Sequence, residues 1–261
     1  MQWIEVNGAS LRWRRDGRGD GDLLVLVHEM GGAIESWDYV LPSLVDHFDV
    51  LRYDQRGGGW SEKVKGRLSV ETAADDLAAL LDALAIQKQA RVMGVAVGAG
   101  VSLKFASKYS ERVARLVLSS PATGVAEDRR QATEERADDT ERRGMRAVCD
   151  ATMANAYPEV LRDSERFPAM RNRWLCNDPE SYAATTRMLV DMRLEPDYAK
   201  VKCPTLVVGN EHDALRPPAM AKQVADAIPG AEFKVIPSGH FMPTQSPDLF
   251  VEHVLPFLRG A

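Results

Sequence analysis

Hydrophobic positions along the chain fall into short unbroken runs, separated by longer stretches with a helical repeat. Leu23-Leu24-Val25-Leu26-Val27 is apolar at every position, as a strand is when both faces of its sheet are covered. Phe48–Tyr53, Arg91–Val95, Val113–Leu118, Thr205–Val208 and Phe233–Ile236 are further strand-like runs. Between two of them, Val70, Ala73, Ala74, Leu77, Leu80, Leu81 and Leu84 recur at the spacing of one helix face, opened by Ser69-Val70-Glu71-Thr72. Helices are also predicted after Ser36 (carrying Trp37, Val40, Leu41 and Leu44), over Val97–Tyr109, over Pro218–Ala227 and over Pro247–Leu258. Near the start, Trp3–Val6 and Leu11–Arg15 flank Asn7-Gly8. That pair accepts positive φ and predicts a hairpin. A polar turn is expected over 17–21.

Strands alternating with amphipathic helices predict an α/β fold: a mostly parallel central sheet with helices on both faces and an antiparallel edge at the hairpin. The alternation stops from Ala122 to Lys200, where the chain is charged, Arg-rich and helix-forming. We expect this stretch to be a helical cap over the carboxyl edge of the sheet, where open α/β sheets bind ligands. Residues 1–121 and 201–261 would then form the core and 122–200 the cap.

Composition narrows the partners. At 261 residues and 45% apolar the chain can bury one sizeable core. A net charge of -5 argues against nucleic acid or an anionic membrane as the main partner. Cys149, Cys176 and Cys203 are odd in number and show no C-x-x-C spacing, which fits a reducing compartment. Met1–Val6 has neither a basic n-region nor an apolar h-region. No apolar run approaches the roughly 18 residues of a membrane span. The expectation is a cytoplasmic monomer or homodimer whose partner is a small molecule.

The candidate chemistry sits where the strands end. Gly94-Val95-Ala96-Val97-Gly98 carries a strand into a helix with the form G-x-A-x-G. One methyl stands where a hydroxyl would make it the nucleophile elbow G-x-S-x-G. Other strands end in His28-Glu29-Met30-Gly31-Gly32, in Asp54-Gln55-Arg56-Gly57-Gly58-Gly59, in Ser119-Ser120-Pro121, near Asp213, and in Ser238-Gly239-His240. There is no H-E-x-x-H, no Cys/His ligand spacing and no G-x-G-x-x-G turn, so no metal or cofactor is expected.

In their order and placement these motifs resemble the α/β-hydrolase superfamily over nearly the full chain. The likeness is greatest to the small cap-bearing lactonases, esterases and carbon–carbon bond hydrolases of aromatic-compound degradation. The resemblance implies that Ala96 holds the nucleophile position and that His240 is the general base, oriented by Asp213, with Asp128 and Glu211 as competing acids. It implies an oxyanion hole from the amides of Met30 and Val97, with His28 bracing the loop. His47, His212 and His253 are expected to be surface or structural. Glu29 stands where the superfamily usually has glycine. It is either a protonated hydrogen-bond donor to substrate or a structural group turned to solvent or to Arg56. Asp54 and Arg56 are expected to pair within their turn. Trp37, Ser120, Trp174 and Arg142 are expected to contact substrate, with Trp60, Met145, Met153, Met188 and Met192 as further apolar lining. Arg143, Arg171 and Arg173 join Arg142 as candidates to hold a substrate carboxylate.

A methyl group cannot attack a carbonyl, so Ala96 forms no acyl-enzyme. Three readings follow. The chain is a Ser hydrolase whose nucleophile has been replaced, or an enzyme that never had the Ser and uses His240 as a base for water-mediated hydrolysis, decarboxylation or another proton transfer, or a binding protein on the same fold. The sequence leaves all three open.

Overall fold

The computed structural model, which describes residues 1–17, 19 and 21–260, aligns the apolar runs in one eight-stranded sheet. Two residues of the polar turn expected over 17–21, Arg18 and Asp20, lie outside the described residues. The strands are β1 (Gln2–Val6), β2 (Ala9–Asp16), β3 (Asp22–Val27), β4 (Phe48–Tyr53), β5 (Ala90–Val95), β6 (Val113–Ser119), β7 (Thr205–Asn210) and β8 (Glu232–Ile236). Their order across the sheet is β1-β2-β4-β3-β5-β6-β7-β8. β1 and β2 form the antiparallel edge, turning at Asn7 (φ 48) and Gly8 (φ 71), and every pairing from β4 to β8 is parallel.

Both faces of the central strands are buried, which explains their unbroken hydrophobicity. Leu23, Val25 and Val27 of β3 enter one core, while Leu24 and Leu26 enter the other. β5 divides Val92 from Met93 and Val95 in the same way. Helices α2 (Val70–Ala83), α3 (Val97–Lys108) and α8 (Pro218–Ala227) cover the first face. α1 (Leu41–Val45), α10 (Pro247–His253) and α11 (Leu255–Arg259) cover the second. The Ser69 hydroxyl caps α2 by accepting from the Thr72 amide at 3.0 Å.

Two expected helices are broken by proline. After residue 33 the chain makes a 3-10 turn, Ile34–Trp37, and then the short α1 with Pro42 in its first turn. The helix expected over Pro247–Leu258 divides into α10 and α11, and Pro256 lies in the first turn of α11. A proline lacks the amide that would continue the ladder and is tolerated only in a first turn.

Between β6 and β7 the chain is helical: α4 (Arg130–Arg143), α5 (Arg146–Ala156), α6 (Arg166–Leu175) and α7 (Pro179–Asp191). These helices share a small core of their own, with Met145, Met153, Trp174 and Tyr182, joined from the sheet side by Phe241. Phe241 directly precedes α9 (Met242–Gln245). Among the described residues no helix is long and apolar enough to cross a membrane.

Candidate active site

The turn between β5 and α3 is held in a conformation that costs energy. Ala96 has φ 52 and ψ -114, a region that side-chain-bearing residues enter at about 1–3 kcal/mol. Its amide donates to Ser119 O at 2.9 Å, and its carbonyl accepts from the Ala122 amide at 3.0 Å. The flanking glycines are needed for close approach. A Cβ at Gly94 would lie 2.2 Å from Gly98 O, and one at Gly98 would lie 2.2 Å from Val27 O. Strand, helix and the end of β3 are therefore pressed together around Ala96.

The loop after β3 is fixed by His28. Its Nδ1 lies 2.7 Å from Glu29 O, and its Nε2 accepts from the Gln55 amide at 2.9 Å. Both ring nitrogens are thus engaged in holding backbone. The loop sets Met30 beside Val97 on the wall of one cavity of about 560 Å³. Among the described residues neither the Met30 nor the Val97 amide has an acceptor. For Val97 this follows from its place at the first turn of α3, where amides lack an intrahelical partner.

His240 lines the same cavity as Ala96, Met30 and Val97. Its Nδ1 is 2.7 Å from Asp213 Oδ2, and its ring packs edge-on against Phe241. The other oxygen of Asp213 accepts from the amides of Leu215 and Arg216, each at 2.9 Å. Burial opposes the charge on Asp213. His240, the Ser120 hydroxyl and the Arg216 amide outweigh it and hold the carboxyl below its ordinary value. Asp128 and Glu211, the competing acids, are exposed. A buried carboxylate tied to an imidazole in this way can orient the ring and stabilise its protonated form.

The depressed Asp213 value sets a stability expectation. A carboxyl held low when folded stabilises fully above its unfolded value, and the stabilisation is lost as pH falls through the folded value. Asp213→Asn should therefore be less stable than the parent at neutral pH, and the gap should narrow below about pH 4. Urea midpoints measured across that range check this.

Several residues expected at the site lie elsewhere. Trp37 is 1% exposed in the core beneath the sheet, because the 3-10 turn points it inward. Ser120 is buried behind Asp213, accepts from Asn210 Nδ2 at 2.8 Å, and is not on the cavity wall. Glu29 is buried and is not on the wall of this cavity; its Oε1 accepts from Ser36 Oγ at 2.8 Å. Gly32 makes room for it, since a Cβ there would lie 2.6 Å from that carboxylate. Arg142 and Arg143 are exposed and share Asp139, and Arg171 pairs with Asp150. Arg173 is half-buried and is not on the cavity wall either. Asp54 and Arg56 do not pair with each other: Asp54 accepts from Arg12 and from the Ile34 and Trp60 amides, while Arg56 grips Asp76 with two contacts of 2.8 Å. Trp60 is exposed under Arg12. Met145 and Met153 fill the core of the inserted helices, and Met188 and Met192 the core of the sheet.

Trp174 does line the cavity, and Gly31 (φ 76) gives way to its ring. Three charged lining residues were not expected: Arg129, Arg136 and Arg216. Arg216 donates to Gly124 O at 2.9 Å, and burial pushes its guanidinium below the ordinary value against the pull of Asp213.

Known proteins match this chain along its length. The family model described as alpha/beta hydrolase fold matches residues 22–247. Pyrrolizixenacetamide deacetylase of Xenorhabdus hominickii is 25% identical over 99% of this chain and 98% of its own. 3-Oxoadipate enol-lactonase 2 of Acinetobacter baylyi is 23% identical over 95% of this chain and 92% of its own. The crystal structure of the enol-lactonase from Burkholderia xenovorans superposes with a TM-score of 0.92 at 29% identity, covering 98% of this chain and 99% of that one.

Proposed function

The chain belongs to the alpha/beta hydrolase fold family, and from that premise we propose that it hydrolyses a small carbonyl compound by direct attack of water, without an acyl-enzyme. One observation carries the reading: an imidazole paired with a buried carboxylate lines one cavity with Ala96, Met30 and Val97, and the amides of the last two have no acceptor among the described residues.

The carbonyl oxygen of the substrate sits against the Met30 and Val97 amides. Those donors favour the tetrahedral oxyanion more than the ground-state carbonyl. His240 takes a proton from a water molecule as the water oxygen bonds to the carbonyl carbon. Asp213 holds the ring and balances its positive charge. The oxyanion then collapses, the bond to the leaving group breaks, and the imidazolium returns its proton to that group. The names of the relatives, a deacetylase and an enol-lactonase, support an ester, lactone or amide as the class of bond. The Met30 and Val97 donors need no side chain at 96, so the oxyanion site does not depend on a nucleophile there.

The test compares the parent with Ala96→Ser on a panel of activated esters and lactones. The parent is expected to turn over at least one member with no burst and no added mass on the protein. The serine variant is expected to show a burst and an acyl adduct by mass spectrometry. A covalent adduct on the parent during turnover would overturn the reading. So would a parent inert on every member that Ala96→Ser hydrolyses.

A further inference from the structure

The helix α4 shows two different faces. Glu134, Asp138 and Glu141 point at α7, where all three surround Arg187 at 2.6–3.6 Å. On the opposite side, Ala132, Thr133 and Arg136 line the cavity together with Arg129, the residue immediately before the helix. Their spacing of i, i+3, i+4 and i+7 places them on one stripe. The two arginines stand about 10 Å apart along the axis, with small residues between them that leave space.

The charges around this cavity are lopsided. Arg129, Arg136 and Arg216 line it, and no Asp or Glu is among the described lining residues. Yet the chain as a whole has 38 acidic and 33 basic side chains. Most arginines of the inserted helices, such as Arg142, Arg166, Arg171 and Arg187, lie within 4.0 Å of a carboxylate. Among the described residues Arg129 and Arg136 have no such partner, although Arg136 also lines an outer groove with Glu135 and Asp139. One further donor is unspent on the same wall: the buried indole N–H of Trp174 has no partner.

Unpaired guanidinium groups around an otherwise largely apolar cavity suit a planar anion, which accepts from them in pairs. We propose that the substrate carries a carboxylate and that Arg129 and Arg136 bind it, so that these two residues set specificity for acids over their neutral analogues. The inference rests on the site assignment above and names the substrate class for it. It moves the carboxylate-binding role from Arg142, whose guanidinium is engaged by Asp139, to the inward stripe formed by the same helix and the residue that precedes it.

The experiment measures binding alone, by calorimetry at low salt, with hexanoate and hexanamide as a charged and neutral pair. Hexanoate should bind at least about tenfold more tightly than hexanamide. Arg129→Gln/Arg136→Gln should abolish that ratio and leave hexanamide affinity as it was. Arg143→Gln, on the same helix and away from the cavity, should keep the ratio. Arg129→Lys/Arg136→Lys, which retains the charge, should keep part of it. The substituted side chains are exposed, so thermal midpoints should match the parent. Equal affinity for the two ligands would overturn the proposal, as would a preference for hexanoate that persists in the double glutamine variant. No turnover is involved, so this result and the Ala96→Ser result can fail separately.

Discussion

A His240→Ala variant is expected to lose about 10²–10⁴-fold in kcat while keeping its fold and its affinity for ligands. Among the described residues lining the cavity, His240 is the one imidazole. His28 cannot replace it, because both of its nitrogens hold the loop that carries Met30. His240 Nδ1 is committed to Asp213, and Nε2 has no protein partner among the described residues. That second nitrogen is the one available to water. The substitution leaves Asp213 with the Leu215 and Arg216 amides, so the buried carboxylate is not orphaned. The stability cost should be no more than about 1–3 kcal/mol. Steady-state kinetics on the best substrate of the panel, with hexanoate affinity measured alongside, check this. Unchanged kcat would remove the base from the mechanism. Loss of binding in step with kcat would make the residue a structural support instead.

What could be read from the chain was whatever local chemistry decides. Strand runs buried on both faces, the Asn7-Gly8 turn and the helix behind Ser69 each carry their own signal, and each is where the pattern placed it. The contact between Asp213 and His240 was implied by the family resemblance, and it lies where strand ends in a parallel sheet converge on one edge. Partner choice was not legible. Arg56 has Asp54 two residues away in sequence yet binds Asp76 on α2, while Asp54 is taken by Arg12 from β2. Such pairings depend on which strands are neighbours. Trp37 has the look of a pocket aromatic, but a 3-10 turn in place of a helix redirects it into the core. The arginines were the hardest. The inserted stretch holds many, and the structure is needed to show that acids on α4 neutralise Arg187 on α7 and Arg142 on the exposed rim. The i, i+3, i+4, i+7 spacing of Arg129, Ala132, Thr133 and Arg136 was the available signal. It is a polar stripe in a helix, and polar stripes ordinarily face water.

The second large effect concerns stability. Gly98→Ala should destabilise the protein by about 3 kcal/mol or more, at or beyond the upper end of the usual overpacking range. The added methyl would meet Val27 O at 2.2 Å and His28 O at 2.4 Å. Both contacts are backbone, so no flexible side chain can yield. Relief requires α3 to move off β3. A control is Gly230→Ala: it has φ 70 and open space around the new methyl, so it carries the cost of the positive-φ backbone alone, about 1–2 kcal/mol. For a chain of this size, about 2–4 °C in Tm accompanies each kcal/mol, so the two variants should separate clearly in a thermal melt. The consequence reaches the site. Val27 and His28 lead directly into Met30, and Gly98 directly follows Val97. A shift at this contact therefore displaces Val97 from Met30, the two residues proposed to donate their amides. Any Gly98→Ala protein that folds should lose kcat with little change in hexanoate affinity, because Arg129 and Arg136 belong to a different element. A melt indistinguishable from that of Gly230→Ala would mean that α3 can move freely against β3, and this contact would then not fix Val97 against Met30.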